Sequence, residues 1–432
     1  MRYVSTSGNS PAATFRDSLF SGLAPDGGLY VPERLPEIPA SLLKSFEDQS
    51  MHSIGREISA LFIDDIPPQD LSAIVERAWT FPIPLVPLEE NLHLLELFHG
   101  PTLAFKDVGA RFMAQVLSYY LKKSEKEITI LVATSGDTGS AVAQGFFEAP
   151  HITVCVLYPT GKISKLQEQQ MATLGKNIRA FEVDGTFDDC QRMVKEALSD
   201  VDLVRKRNLT TANSMNLGRL IPQIVYYVWG LAQWSKKFSG TDKPTVVVPS
   251  GNFGNLTAAV YAKQMGAPIG KLIAATNVND VVPQYLTSGE YKPRPSLQTY
   301  SNAMDVGNPS NLARLRTLFR DNLAELRKHI SAISISDDET LAEIQKTYER
   351  TGIILDPHTA VGVSAARKSG GAGPVIIAAT AHPGKFPEVI ERAIGKKIPL
   401  PKQLVEAMKR GKVSVRVKAD YNALREWLSH RK

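Results

Sequence analysis

Apolar and polar residues alternate along most of the chain in blocks that predict strands followed by helices. The β-branched runs ITILVAT (128–134) and ITVCVLYP (152–159) each lead into amphipathic text, SAVAQGFFEA and SKLQEQQMATL. Repeated strand and helix units of this kind predict a parallel sheet. A second series, from TVVVPS to VIIAAT, follows a long helical segment near residues 215–234. We therefore expect an α/β protein with two doubly wound, mostly parallel sheets.

The beginning of the chain has a different pattern, with helices interrupted by turns such as APDGGLYVP and DDIPPQD. The proline-rich FPIPLVP that follows cannot lie inside a helix and marks a boundary. We predict three parts, which are an N-terminal helical section (1–85), a large α/β domain (86–115 and 235–432) and a small α/β domain (116–234). Within the small domain, Thr186 with Asp189 three positions later predicts a helix start.

Composition excludes several classes of protein. The chain has 432 residues, 43% of them hydrophobic, which argues against a disordered chain, a collagen or a coiled coil. Its two cysteines and its histidines have no metal-ligand spacing, so we predict neither a disulfide framework nor a metal. The net charge of +6 permits an anionic ligand without requiring nucleic acid. No basic leader or membrane-length apolar run is evident, and we expect a cytoplasmic protein.

Candidate chemistry lies in the loops that follow the predicted strands, because ligands of open α/β sheets bind at the carboxyl ends of strands. TSGDTG (134–139) and SGNFGN (250–255) both lead into helices, where free backbone N–H groups attract an anion such as phosphate. Thr380 ends a third strand, and its hydroxyl could bind a ring nitrogen. Ordinary turns have the same composition. Neither loop matches GxxxxGK[ST] or GxGxxG, which argues against nucleotide enzymes with those signatures.

Lys106, in HGPTLAFKDVGARF, is the most informative single residue. Apolar Leu103, Ala104 and Phe105 precede it, and a half-buried amine loses its proton more easily than an exposed one. A deprotonated lysine forms Schiff bases with carbonyl compounds, which is how pyridoxal phosphate is held. The alternative is a surface lysine that pairs with Asp107. The local sequence alone leaves both interpretations open.

Eight motifs occur together along the chain, in the order HGPTLAFKD, TSGDTG, LYPTGKIS, TANSMN, PSGNFGN, AATNVND, SNAMDV and AHPGKF. The series closely resembles the threonine synthase family of bacteria and fungi over nearly the whole chain. The resemblance implies a fold-type II pyridoxal phosphate enzyme that converts O-phospho-L-homoserine and water to L-threonine and phosphate. It also implies that Lys106 is the Schiff-base lysine.

The resemblance further implies a role for each matching motif. The cofactor phosphate would be held by the GNFGN residues Gly251, Asn252, Phe253, Gly254 and Asn255, and the pyridine nitrogen would face Thr380. The substrate carboxylate would bind the loop that carries Ser135, Asp137 and Thr138, although many relatives in the wider fold have Asn where Asp137 stands. The substrate phosphate would be bound by Asn213, Ser214 and Arg219.

The chemistry requires a closed site, so we expect the small domain to move as a lid. Three histidines beside predicted strand ends, His99, His358 and His382, are expected to pack around the site and shape it. Three rival functions remain open. A related phospholyase would release phosphate and ammonia and yield 2-oxobutyrate. A non-catalytic module would only bind its ligand, and the net charge of +6 leaves a weak nucleic-acid binder as the third alternative. We expect a monomer or a small homo-oligomer with a small-molecule substrate and without nucleic-acid or membrane partners.

Overall fold

The structure is a computed structural model that describes residues 1–122, 124, 126–238, 242–371 and 373–430. Within these ranges, no helix combines the length and the apolar character needed to cross a membrane.

Thirteen strands are found in the described part of the chain. In chain order they are β1 (Tyr3–Ser5), β2 (Tyr30–Pro32), β3 (Leu85–Glu89), β4 (Leu92–Glu96), β5 (Ile128–Ala133), β6 (Ile152–Pro159), β7 (Ile178–Asp184), β8 (Leu209–Thr211), β9 (Thr245–Pro249), β10 (Leu272–Thr276), β11 (Ile330–Ser334), β12 (Val375–Ala379) and β13 (Val415–Lys418).

The same ranges contain nineteen α-helices. They are α1 (Phe15–Ser21), α2 (Ala40–Ser45), α3 (Met51–Ala60), α4 (Pro68–Ala78), α5 (Lys106–Leu121), α6 (Asp137–Gly145), α7 (Lys165–Ala172), α8 (Phe187–Ser199), α9 (Val201–Arg207), α10 (Leu217–Lys237), α11 (Gly254–Gln264), α12 (Val281–Ser288), α13 (Leu312–Leu318), α14 (Leu323–His329), α15 (Asp337–Thr351), α16 (Pro357–Lys368), α17 (Pro387–Ile394), α18 (Lys402–Met408) and α19 (Tyr421–His430). Short 3-10 turns lie at Phe46–Asp48, Asn302–Met304 and Pro383–Lys385.

The prediction of two mostly parallel sheets is confirmed. The larger sheet has the order β11-β10-β9-β12-β4-β3, and only β3 runs antiparallel, in a hairpin with β4. The smaller sheet is parallel throughout, with the order β13-β7-β6-β5-β8. Neighbouring side chains of β9 pack into different hydrophobic clusters, Val246 and Val248 into one and Val247 into the other. Both faces of the larger sheet are therefore covered, which explains why its strands are continuous apolar runs.

The C-terminal segment differs from the expected division of the chain. We predicted that residues 235–432 accompany the larger sheet, but β13 pairs in parallel with β7 of the smaller sheet. Trp427 of α19 packs edge-on against Phe181 of β7. The sequence did not indicate this return of the chain, because β13 is short and mostly exposed and therefore lacks the buried apolar pattern of the other strands.

The N-terminal section is helical, as expected, with one small antiparallel ribbon formed by β1 and β2. Its helices α3 and α4 bury apolar stripes against Trp79, which is almost fully buried and stacks on Phe112 of α5. The predicted helix start at Thr186 is also confirmed, since the Thr186 hydroxyl accepts from Asp189 N and the Asp189 carboxylate accepts from Thr186 N. Local capping chemistry therefore fixes the beginning of α8.

Candidate active site

The loops singled out in the sequence meet at one place because their strands are neighbours. β9, β12 and β4 lie side by side in the larger sheet, and β5 and β8 lie side by side in the smaller one. Their carboxyl-end loops surround one cavity. All thirteen predicted site residues line it. They are Lys106, Ser135, Asp137, Thr138, Asn213, Ser214, Arg219, Gly251, Asn252, Phe253, Gly254, Asn255 and Thr380.

Lys106 is the first residue of α5, and a short backbone pairing holds it against the end of β12. Phe105 N donates to Thr380 O at 2.9 Å, and His382 N donates to Leu103 O at 3.1 Å. Leu103 adopts a left-handed backbone conformation (φ 60°), which turns the chain into this pairing. The pairing sets Lys106 beside Thr380, although the two are far apart in sequence.

The surroundings of Lys106 exclude the surface-lysine alternative. The Asp107 carboxyl group is buried and accepts hydrogen bonds from Thr102 N at 2.8 Å and Thr102 Oγ1 at 2.7 Å. Burial raises the pKa of Asp107 to about 6. Burial also lowers the pKa of the Lys106 amine to about 8; nearby Asp137 opposes this shift, while Arg219 and Lys385 add to it. A lysine with this pKa is partly neutral near physiological pH and therefore able to act as a nucleophile or base.

The SGNFGN loop folds tightly between β9 and α11. A Cβ added to Gly251 would lie 2.5 Å from Met304 Cα, so only glycine fits there. Phe253 has a left-handed conformation (φ 61°) at the start of α11. The Asn255 amide donates to Pro249 O at 2.8 Å, and its oxygen accepts from Leu256 N at 3.0 Å. These contacts make a rigid loop that leads into the N-terminus of a helix, as expected of a phosphate cradle.

The TSGDTG loop has a similar build between β5 and α6. Thr134 Oγ1 accepts hydrogen bonds from Gly136 N and Gly139 N at 2.9 and 2.8 Å, and Gly136 has a positive φ of 134°. Asp137 begins α6 and is buried. Burial by itself would raise the pKa of Asp137, but the cations Lys385 and Lys106 hold it well below its usual range. Asp137 is therefore a carboxylate inside the site.

The TANSMN segment follows β8 and forms another wall of the cavity. The Asn213 amide bonds both backbone groups of Ala133 at the end of β5, with distances of 2.8 and 3.2 Å, so its side chain ties two loops together. Ser214 Oγ accepts from Asn252 Nδ2 at 2.5 Å. Arg219 is buried, donates from Nη1 to Ala212 O, and has an Nε without a hydrogen-bond partner among the described residues. A buried unsatisfied guanidinium donor is suited to an anionic ligand.

Sequence reasoning missed a residue that holds this wall in place. Arg314 is fully buried and donates to the backbone carbonyls of Tyr30, Ser214 and Met215 and to Asn311 Oδ1. Burial lowers the pKa of Arg314 to about 10. Arg314 lies in a predicted helical segment that carries no motif, and most of its partners are distant in sequence. No local signal could therefore have indicated it.

The three histidines have separate positions. His358 lines the cavity; its Nε2 accepts from Ala303 N at 3.1 Å, so its Nδ1 carries the proton and donates to Asp356 Oδ1 at 2.8 Å. His99 contacts Glu96, and His382 Nδ1 accepts from Gly384 N. The Asp356–His358 pair thus fixes the backbone of the SNAMDV loop at the cavity wall.

This site fits pyridoxal phosphate. The SGNFGN loop lines the cavity at the N-terminus of α11, where a phosphate can bind, and a lysine with a lowered pKa and the strand-end residue Thr380 line the same cavity. A family model described as "Pyridoxal-phosphate dependent enzyme" matches residues 80–380. The fold and the site therefore define an enzyme that uses pyridoxal 5'-phosphate.

Two further family models, described as "Threonine synthase N terminus" and "Threonine synthase, C-terminal", match residues 2–79 and 359–428. The threonine synthase of Haemophilus influenzae is 43% identical over 418 residues, which cover 96% of each chain. A crystal structure of threonine synthase from Escherichia coli superposes with a TM-score of 0.94 at 39% identity, covering 100% of both chains. A PLP-bound threonine synthase from Brucella melitensis gives 0.91 at 35% identity, covering 100% of this chain and 99% of the other. The chain belongs to the threonine synthase family.

Replacing Gly251 with alanine tests the tight loop. Because the added methyl group would overlap the Met304 backbone, we expect Gly251→Ala to displace the loop and reduce the cofactor content of the purified protein severalfold. Gly371→Ala is the matched control, since an added Cβ there meets nothing within 4 Å. The cofactor content is measured by absorbance after release in alkali. Equal cofactor content in both variants and in the unmodified protein would contradict the assignment.

Proposed function

We propose that this protein is a threonine synthase, a lyase that converts O-phospho-L-homoserine and water to L-threonine and phosphate as the last step of threonine biosynthesis. The observation that carries the proposal is one cavity lined both by Lys106, whose amine has a lowered pKa, and by Arg219, whose Nε has no hydrogen-bond partner among the described residues. Membership of the threonine synthase family supports the same activity.

We assign the cofactor-binding residues as the sequence suggested. Gly251, Asn252, Phe253, Gly254 and Asn255 would hold the cofactor phosphate, and Lys106 would bind its aldehyde carbon. The Thr380 hydroxyl would face the pyridine nitrogen and, because it is neutral, would leave that nitrogen unprotonated. When bound, pyridoxal phosphate supplies an electron sink that stabilises negative charge on the substrate carbons next to the amino group.

The substrate would be held at both ends. Ser135 and Thr138, with Asp137 between them, would surround the carboxylate. Ser214 and Arg219 would bind the phosphate, with Asn213 fixing their loop against β5. Arg219 suits this role because its guanidinium is buried and its Nε has no hydrogen-bond partner among the described residues.

Lys106 would act as the catalytic base. Its amine would take a proton from the α carbon and then move protons at the β carbon, and a pKa of about 8 allows both directions of transfer near neutral pH. Phosphate then leaves from the γ carbon, and water adds at the β carbon. A phospholyase would share the first steps, so the product distinguishes the two reactions. We further propose that the protein works in the cytoplasm, as a monomer or small homo-oligomer, without nucleic-acid partners.

Product analysis tests the function directly. With O-phospho-L-homoserine, the cofactor-loaded protein should release phosphate and L-threonine in equal amounts, and Lys106→Ala should lose both products because the base is gone. Amino-acid chromatography and a phosphate assay provide the measurement.

Lys165→Ala, at the exposed start of α7, controls for the loss of a lysine elsewhere in the chain. Formation of 2-oxobutyrate without threonine would identify the phospholyase. A folded, cofactor-loaded sample that releases no phosphate would instead indicate a binding module.

Arg219→Ala tests the phosphate-binding role. Loss of a charge-assisted contact should raise KM for O-phospho-L-homoserine roughly ten- to a hundred-fold. Arg316→Ala, which removes a more exposed arginine paired with Asp321, should leave KM unchanged. Steady-state kinetics with the cofactor content checked for each variant would reject the role if both variants had the KM of the unmodified enzyme.

We propose that residues 116–234, together with the C-terminal segment that carries β13, form a small domain that moves as a lid over residues 86–115 and the rest of 235–432, with 1–85 as a separate helical section. Phe187 and Gln191 of α8 line the cavity opposite Ala303 and Val306 of the larger part, so movement of α8 would open or close its mouth. Crystal structures with and without a substrate analogue should show α8 approaching residues 303–306. Identical positions in both would argue against a lid.

A further inference from the structure

A buried ion pair lies beside Lys106, and one of its members was not predicted from the sequence. Lys385 is fully buried in the 3-10 turn after β12, and its Nζ lies 2.6 Å from Asp137 Oδ1. The same Nζ donates to Thr102 O at 2.9 Å, and Asp137 Oδ1 also accepts from Gln167 Nε2 at 3.0 Å. Removing two charges from water is costly, and their attraction offsets this cost only where the geometry is good and further hydrogen bonds satisfy both groups, as they do here.

The pair connects the two sheets at the candidate active site. Lys385 follows β12 of the larger sheet, whereas Asp137 and Gln167 belong to α6 and α7 beside the smaller sheet. Thr102 connects the pair to the lysine segment, because its carbonyl binds Lys385 while its N–H and hydroxyl bind Asp107, the residue after Lys106. A shift of Lys385 would therefore displace both of its partners near Lys106, which are Asp137 and Thr102.

We propose that Lys385 is a positioning residue of the reaction, whose buried ammonium holds the Asp137 carboxylate next to the Lys106 nitrogen and balances its charge there. The inference rests on the proposed function. Lys385 and Asp137 form one neutral unit, so that neither charge acts alone on the nitrogen that carries out the proton transfers.

The charges around Lys106 come from several elements. Those that act on its amine are Asp137 on α6, Arg219 on α10 and Lys385 on the 3-10 turn. Two more titratable groups lie nearby, the buried Asp107 on α5 itself and the His358 ring on α16, whose Nε2 accepts a hydrogen bond. Asp137 raises the pKa of Lys106, whereas Lys385 and Arg219 lower it. Removing the Lys385 charge alone leaves Asp137 uncompensated and should favour the protonated form of the Lys106 nitrogen. Removing the Asp137 charge alone should have the opposite effect.

A charge-matched set of variants tests the inference in the holoenzyme. The variants are Lys385→Met, Asp137→Asn and the double variant, each close to the original in size. The first readout needs no substrate and is the pH midpoint of the change in the visible absorbance of the bound cofactor. We expect Lys385→Met to shift this midpoint upward by about one pH unit or more and Asp137→Asn to shift it downward. The double variant should return close to the original midpoint, since replacing a buried ion pair by neutral groups is often tolerated.

Kinetics provide the second readout. Lys385→Met should lower kcat at least tenfold with a smaller change in KM, because Lys385 is not among the residues that line the cavity. Lys409→Met is the matched control; Lys409 forms an exposed pair with Glu406, and its loss should change neither readout.

Each outcome bears on the inference. Lys385→Met with an unchanged midpoint and unchanged kcat would overturn it. Failure of both single variants and of the double variant to fold or bind cofactor would also overturn it, since that indicates a purely structural pair. Poor cofactor binding in Lys385→Met that the double variant restores would support it. A holoenzyme that makes 2-oxobutyrate would refute the proposed function but leave the absorbance test intact.

Discussion

A short backbone pairing between residues 103–105 and 380–382 is the contact on which the rest of the candidate site depends. The hydrogen bonds from Phe105 N to Thr380 O and from His382 N to Leu103 O attach the start of α5 to the end of β12. Because β12 lies between β9 and β4 in the larger sheet, this attachment fixes Lys106 at the carboxyl edge, where the glycine-rich loop after β9 also begins. Ligands of α/β proteins bind at such an edge for the same geometric reason.

Around this contact, several charged side chains are buried. Lys385, Arg219 and Arg314 are almost fully buried, and so are Asp137 and Asp107. Each has a particular compensation, such as the backbone carbonyls that surround Arg314 or the carboxylate beside Lys385. Arg219 is the exception, because its Nε has no hydrogen-bond partner among the described residues. A buried donor of this kind is suited to an anionic ligand.

The site also depends on close backbone approaches. An added Cβ at Gly251 would lie 2.5 Å from Met304 Cα. An added Cβ at Gly136 would lie 2.4 Å from Gln167 Cδ. The contact at Gly251 is with backbone and cannot give way, and Gly136 also requires a positive φ. Both positions therefore require glycine, and the two loops belong to different sheets.

The sequence by itself determined the features that depend on neighbouring residues. Hydrophobic periodicity indicated both parallel sheets, capping chemistry indicated the start of α8, and the glycine and hydroxyl loops together with Lys106 indicated residues that now line one cavity. Only the tertiary structure decided the order of strands in each sheet, the return of β13 to the smaller sheet, and the contacts of Lys385 and Arg314. These last features join residues that are far apart in sequence. A buried ion pair or a carbonyl-bound arginine has no periodic pattern, because its stability comes from burial and from partners that only folding brings together.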